Sequence, residues 1–425
     1  MATAILGMQW GDEGKGKITH LLAKDSDMVV RFNGGANAGH TVIDRGEKFG
    51  THLLPTGVFY TASTSVLAAG MVIDLEVLRE EFDTITRHLG EKPEILISEH
   101  AHLVLPYHKL MEDLEGSVKR IGTTRRGIGP AYRDRAARIG IRAVDLLSPK
   151  QLRDRLTQRI ELLKRMWPSS PQFDSISAIE LSERLVGLAQ PFLSSIRDTA
   201  LPIKKALQGD RRILFEGAQG ALLDVNYGTY PYVTSSSTTF AGLGNAIGIP
   251  NPTIDKRIGV LKAYTTRVGE GPFPTQLSND MEGKLQVRGG EFGVTTGRPR
   301  RCGWLDLPAL RHATALNDPT GIAVTKLDVL SGMSEIKVCR AYQVGGKLYD
   351  RFPSSAEELG LCRPIYETFP GWKDDISQIK DYEQLPRAAR TYLKWISDAL
   401  GVPIYLVSIG PRPEETIQTD FFDRA

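Results

Sequence analysis

The sequence predicts an α/β fold: a large, mostly parallel central β-sheet flanked by helices, with P-loop-like architecture and helical insertions. Three observations carry this. Short runs rich in Val, Ile and Leu recur along the 425 residues, each apolar throughout instead of alternating. Such runs suit strands buried on both faces of a parallel sheet. Each closes on a glycine-containing or polar turn, and longer helical patterns lie between them, as in chains that alternate strand and helix. Glycine-rich loops suited to an anion follow the first two runs.

Taken in order, the clearest runs cover residues 4–8, 28–32, 66–69, 95–97, 213–215, 258–263, 322–324 and 404–407. Residues 151–208 read as mostly helical, interrupted at 168–171 where Pro168 and Pro171 stand. There is no internal repeat, no low-complexity tract and no Pro/Gly/Ser linker that would mark a boundary. The expectation is a single domain over 1–425 with a mostly helical insertion at about 151–208.

With 41% hydrophobic and 24% charged residues the chain has the balance of a globular protein. No stretch approaches the roughly 20 apolar residues of a membrane span, and the opening residues lack the basic-then-apolar layout of a signal peptide. Cys302, Cys339 and Cys362 are widely spaced and form no CxxC pair, so neither a disulfide framework nor a zinc site is indicated. A cytoplasmic protein that engages no membrane is expected. The net charge is only +3, but between Ser117 and Arg142 eight basic residues face one acid, Asp134. That run suits a solvated face, a phosphate-bearing small ligand or nucleic acid. The glycines of Ile121-Gly-Thr-Thr-Arg-Arg-Gly-Ile-Gly-Pro130 favour a loop there over a helical basic stripe.

In open α/β sheets ligands sit beyond the carboxyl ends of the strands, so residues after each run are where chemistry is sought. The first run leads into Gln9-Trp-Gly-Asp-Glu-Gly-Lys-Gly-Lys17 and then a helical stretch. Gly11, the residues up to Gly16, and Lys17 match the P-loop except that Ile18 replaces the final Ser or Thr. Glycines let backbone amides turn toward an anion, and lysine neutralises phosphate charge. The missing hydroxyl would have bound magnesium, so a nucleotide here needs a carboxylate ligand, Asp12 or Glu13. The second run ends in Asn33-Gly-Gly-Ala-Asn-Ala-Gly-His-Thr41, where His40 is the sole titratable side chain and a candidate donor beside a phosphate.

Thr325-Lys-Leu-Asp328 follows another run and is close to the NKxD pattern by which GTPases choose guanine. Its aspartate can accept from the guanine ring NH and exocyclic amino group; adenine offers no such pair of donors. In Glu291-Phe-Gly-Val-Thr-Thr-Gly-Arg-Pro-Arg-Arg301, hydroxyls and arginines in one loop suit a carboxylate, which arginine binds bidentately.

The segments QWGDEGKGK, NAGHT, IGTTRRGIGPAY, FEGAQGALLD, GTYPYVTSS, TTRVGEGPFPT, TTGRPRRCGWLD, TKLDVL and the final GVPI and SIGP together resemble the adenylosuccinate synthetase family, in its order and spacing, over nearly the whole chain. The resemblance implies a GTP-dependent ligase of purine synthesis that joins L-aspartate to IMP through a 6-phosphoryl-IMP intermediate. It implies that Asp12 removes the proton from ring nitrogen 1 of IMP, that His40 hydrogen-bonds the γ-phosphate, and that Lys15 balances charge. GTP would be held by Gly11, Asp12, Glu13, Gly14, Lys15, Gly16, Lys17, Gly39, His40 and Thr41, with guanine at Lys326, Asp328, Ser408 and Gly410. IMP contacts fall on Asn37, Thr124, Gln219, Thr234, Val268 and Arg298, with Arg138 reaching across a homodimer. Aspartate falls to Val294, Thr295, Thr296, Arg298 and Arg300, and magnesium to Asp12 and the Gly39 carbonyl. Departures from the family pattern occur at Ser237, Pro299 and Ile409 and over residues 240–249.

Two rival readings accompany this one. A regulatory GTP-binding protein would explain the phosphate loops and TKLD but not the arginine loop. A nucleic-acid binder would use the basic run, whereas under the resemblance no nucleic acid is bound and the run serves nucleotide phosphate.

Overall fold

The computed structural model describes residues 1–116, 121–278, 280–293 and 297–424. Its centre is a ten-stranded sheet. In chain order the strands are β1 (Ala2–Gly7), β2 (Met28–Arg31), β3 (Thr64–Leu67), β4 (Ile95–Ser98), β5 (Ile196–Arg197), β6 (Ile213–Gly220), β7 (Lys256–Lys262), β8 (Gly321–Thr325), β9 (Ile404–Ser408) and β10 (Thr416–Gln418). In space they run β10-β9-β8-β7-β1-β6-β2-β3-β4-β5. Every neighbouring pair is parallel except β9 with β10.

Each of the apolar runs became a strand of this sheet, and alternate residues explain why the runs are apolar throughout. Ala4, Leu6, Val30 and Phe215 pack on one face against Ile203, Leu243 and Ile247 of the helices Ala200–Gln208 and Phe240–Ile247. Ile5, Val29, Leu214 and Val260 pack on the other against Ile18 and Ala23 of the helix Lys15–Ala23. Both faces are dry, so no position in a strand is free to be polar without a partner.

Strands β5 and β10, at the two sheet edges, were not anticipated. β5 lies inside the segment read as helical, after the helices Pro149–Met166, Pro171–Asp174 and Ala178–Ala189. It has two residues, one buried and one exposed, too short for any periodic signal. A second sheet of four strands, Leu305–Asp306, Glu335–Val344, Lys347–Tyr349 and Arg363–Pro370, lies outside the central one. Within the basic run, residues 122–127 form the expected loop, but Ile128–Ala137 is helical. Among the described residues no helix is long and apolar enough to cross a membrane.

Candidate active site

The loops at the carboxyl ends of the middle strands surround a cavity of about 1100 Å³. At the end of β1, Gly11 and Gly14 hold φ of 82° and 86° and Asp12 itself sits at 58°. Gly14 caps the helix Lys15–Ala23 from the left-handed region, so the helix N-terminus opens on the cavity. A Cβ at Gly16 would stand 2.9 Å from the Thr41 carbonyl and 3.0 Å from His40 Cβ. Glycine there lets the helix start close on the second loop.

The two acidic side chains of the first loop go opposite ways. Glu13 is fully buried, and its Oε1 accepts from the amides of Gln9 at 3.0 Å and Gly11 at 2.9 Å while Oε2 meets Lys15 Nζ at 2.5 Å. A Cβ on Gly7 or Gly220 would collide with that carboxylate. Glu13 therefore braces the loop and Lys15 from behind. Asp12 is the carboxylate that lines the cavity, accepting on Oδ1 from Arg300 Nη2 at 3.0 Å.

Lys17 lies at the cavity wall but donates to Ser408 Oγ at 2.8 Å and to the carbonyls of Gly410 and Glu415 at 2.7 Å each. It ties the phosphate loop to the end of β9. Burial draws its pKa down to about 7, against the raising effect of the Glu415 carboxylate.

His40 opens the hairpin His40–Asp44/Glu47–Thr51. Its Nδ1 is 2.5 Å from Glu216 Oε1, and Glu216 Oε2 accepts from the Thr56 amide at 2.8 Å and hydroxyl at 2.9 Å. Burial pushes the Glu216 carboxyl up, but His40, Arg31 and the Thr56 amide more than offset it and hold it below the usual carboxylate range. Burial also lowers the His40 pKa, against the pull of Glu216. An ionised Glu216 can only accept, so Nδ1 carries the proton. Nε2 is left buried with no partner, on the cavity wall.

Asn37, Gln219 and Thr234 are brought together: Gln219 Nε2 donates to Asn37 Oδ1 at 3.2 Å, and Asn37 Nδ2 to Thr234 Oγ1 at 3.4 Å. Gln219 has φ of 58°, and its Oε1 is buried and unpartnered. Thr124, Val268, Gly39 and Thr41 line the same space. Lys326, Asp328, Ser408 and Gly410 line it as well. Lys326 has φ of 61°, and its Nζ donates to the Gly289 carbonyl. Burial raises the Asp328 carboxyl, with Lys326 and Lys17 opposing.

Other expected residues stand differently. Val294, Thr295 and Thr296 lie outside the described residues. Arg298 is exposed and outside the cavity lining, as is Arg138, which caps the helix Ile128–Ala137 at φ of 62°. Ser237 points away from the cavity and donates to Asp224 Oδ2 at 3.0 Å. Ile409 is buried and Pro299 bridges the cavity-lining Phe292, and neither is itself among the residues that line the cavity.

The motifs left three participants without a role. Arg31 and Lys262 end β2 and β7, and Glu216 follows the apolar run within β6; all three are charged and fully buried. A buried charge needs a partner. That much was a signal in the sequence, but the identity of the partner was not. Asp12 and Gly39, the residues expected to meet a hard cation, both line the cavity. Among the described residues no group of three or more His, Cys, Asp or Glu side chains could hold a metal by itself.

A protein-family model described as adenylosuccinate synthetase matches residues 4–417. The adenylosuccinate synthetase of Halothermothrix orenii is 46% identical over 98% of this chain and 98% of its own. That of Desulforudis audaxviator is 46% identical over all of both chains. The structure of fully ligated adenylosuccinate synthetase from Plasmodium falciparum superposes at a TM-score of 0.93 with 38% identity, covering 99% of this chain and 100% of that one. The cyanophage S-2L succinoaminodeoxyadenylate synthetase shares the fold, at a TM-score of 0.62 and 20% identity over 98% of this chain and 95% of its own.

Proposed function

The chain belongs to the adenylosuccinate synthetase family, and on that premise we propose how its residues divide the work of the reaction. The protein is a GTP-dependent ligase of purine nucleotide biosynthesis that joins L-aspartate to IMP, giving adenylosuccinate, GDP and phosphate. The observation that carries the division is that Asp12, His40 and Asp328 face one cavity. A proton-accepting carboxylate, an imidazole and a guanine-type acceptor are thereby in reach of one pair of nucleotides.

In the first stage Asp12 takes the proton from ring nitrogen 1 of IMP. The electron pair moves to oxygen 6, which attacks the γ-phosphorus of GTP, and the bond to the β-phosphate oxygen breaks to leave GDP and 6-phosphoryl-IMP. His40 faces the transferring group. With the anion present Nε2 takes up a proton and donates to a phosphate oxygen, and Glu216 stabilises the imidazolium on its other side. Lys15, braced by Glu13, balances phosphate charge, and the amides from Gly11 to Lys17 and at Gly39 to Thr41 cradle it. In the second stage the unprotonated amino group of aspartate attacks carbon 6, the bond between carbon 6 and oxygen 6 breaks so that phosphate leaves with that oxygen, and the new amine gives up a proton to the departing phosphate. Arg300, with Arg298 and the residues 294–296, grips the aspartate carboxylates.

Asn37, Gln219 and Thr234, with Thr124 and Val268, hold IMP; the unpartnered Gln219 Oε1 awaits a donor. Asp328 accepts from guanine, with Lys326, Ser408 and Gly410 around the base. The hard oxygens of Asp12 and Gly39 suit magnesium, whose other ligands would come from phosphate and water. Bound there, the ion would offset charge on the β- and γ-phosphates. Arg138, exposed in the single chain, serves the IMP phosphate of a second subunit in a homodimer. The whole chain acts as one domain, in the cytoplasm.

Incubation with GTP, magnesium, L-aspartate and a panel of purine monophosphates, followed by mass analysis, tests the reading. Adenylosuccinate formed only with IMP supports it, and condensation with a different purine monophosphate in preference would overturn the assigned substrate.

A further inference from the structure

The loop that carries Arg300 is rooted on a buried charge cluster that the division of labour above leaves unused. Glu291 is fully buried. Its Oε1 accepts from Lys262 Nζ at 2.8 Å and from the Tyr264 hydroxyl at 2.5 Å, and Lys326 Nζ lies 3.9 Å from the same atom. Its Oε2 accepts from Arg300 Nη1 at 2.7 Å, while Arg300 Nη2 reaches Asp12. Lys262, at the end of β7, is as buried as Glu291 and also donates to Thr266 Oγ1 at 2.6 Å.

One carboxylate thus touches groups assigned to two subsites. The guanidinium is planar and rigid, so fixing Nη1 on Glu291 fixes the direction in which Nη2 points. Lys326 has a flexible stem, and its ammonium is kept at this end of the cavity by Glu291 and the Gly289 carbonyl. Stability alone does not call for such a cluster, because a well-packed apolar group of similar volume serves as well or better. An apolar group could not aim Arg300. Burial works against the charge on Glu291, yet Lys262, Lys326 and Arg300 hold its carboxyl down at about 2, so it stays ionised. Burial draws Lys262 down to about 8 against the pull of Glu291.

We propose that Glu291 is a positioning residue that sets the aspartate and guanine subsites from a single carboxylate, aiming Arg300 beside Asp12 and holding Lys326 beside Asp328, with Lys262 as its buried counter-ion. The role rests on the reading that Arg300 grips aspartate and that Lys326 and Asp328 meet guanine.

Full-length Glu291→Gln and Glu291→Asp variants test it. Gln keeps the size and loses the charge; Asp keeps the charge opposite Lys262 and loses the reach to Arg300. Both should raise KM for aspartate and for GTP about tenfold or more, the scale of a lost hydrogen bond between charged groups, with KM for IMP little changed. Glu291→Gln leaves Lys262 with an unpaired buried charge, which costs stability; Glu291→Asp retains the counter-charge and keeps the test independent of folding. A residue needed only as a counter-ion would be replaced by Asp with wild-type KM values, and that result would overturn the proposal. So would a rise in one KM without the other. Arg300→Met and Asp328→Asn check the underlying reading separately: the first must raise KM for aspartate and the second KM for GTP, whatever the Glu291 variants do.

Discussion

Glu216 lies 176 residues from His40 in sequence, yet its Oε1 accepts from His40 Nδ1 at 2.5 Å, and this bond is what leaves Nε2 bare toward the cavity. The pair is buried, with Arg31 opposite Glu216 in the register of β2 and β6. The carboxylate sets the tautomer, and under the role proposed for His40 it would stabilise the imidazolium that a bound phosphate calls for.

Glu216→Gln should therefore lower kcat by about a hundredfold, the usual worth of a positioned acid or base, while KM for GTP changes much less. The amide cannot stabilise the imidazolium, although it can still accept from Nδ1. Steady-state kinetics at saturating IMP and aspartate decide the matter. A kcat within about threefold of wild type, small beside the effect expected of such a group, would free His40 from dependence on this carboxylate.

In the role proposed for it, Asp328 must be ionised to accept from the two donors of guanine. Burial raises its pKa, so as pH falls the accepting form is lost sooner than for an exposed aspartate near 3.9. KM for GTP should climb as the pH is lowered through that raised value. Asp328→Asn should abolish this pH dependence, weaken GTP, and partly favour XTP, which has a carbonyl where guanine has its amino group. Equal use of GTP by wild type and variant would remove TKLD from the base site.

Arg159 Nε and Nη2 donate to the two oxygens of Asp134 at 2.7 and 2.8 Å, and His108 Nε2 lies 3.2 Å from the same carboxylate. This buried pair joins the helix Pro149–Met166 to the helix that ends at Arg138. Arg159→Met should cost about 3 kcal/mol or more, since Asp134 is left with a buried charge. Burial raises the Asp134 carboxyl, but His108 and Arg159 outweigh it and depress its pKa. Its contribution to stability is thus present above the unfolded value near 3.9 and lost as pH falls through the lower folded value. Chemical denaturation of wild type and variant between neutral and acid pH measures both effects.

If a two-fold homodimer shares Arg138 across its interface, Asp12→Asn and Arg138→Ala should complement. Each variant alone should be nearly inactive, the first having lost the base while keeping the guanine contacts. In a mixed dimer one site carries both defects and the other neither. Random re-pairing of equal amounts should restore about a quarter of wild-type activity. No recovery despite demonstrated subunit exchange would mean that Arg138 acts within its own chain.

Much of the fold was legible because a parallel sheet buried on both faces leaves continuous apolar runs such as Ile213 to Phe215, and because Gly11, Gly14 and Gly34 punctuate the strand ends. Asp12 and His40 could be singled out for the same reason. Strand β5 was hidden because two residues carry no period. Glu13 and Asp12 could not be told apart from the motif, since their roles differ only in side-chain direction. That direction follows from the space left by Gly7 and by Gly220, which arrives on a neighbouring strand.

The sequence by itself determined the eight apolar runs that became strands, the glycine loops that follow the first two, and the residue types available to meet phosphate, guanine and carboxylate. These are local properties, set by turn geometry and hydrophobic period. Only the tertiary structure decided which buried charges face one another. β1 lies between β6 and β7, so Glu216 and Lys262 enter beside a loop whose motif names neither, and Glu216 meets His40 while Glu291 meets Lys262 and Arg300. A charge inside an apolar strand announces that it needs a partner, but the order of parallel strands, joined by crossovers of many residues, chooses the partner.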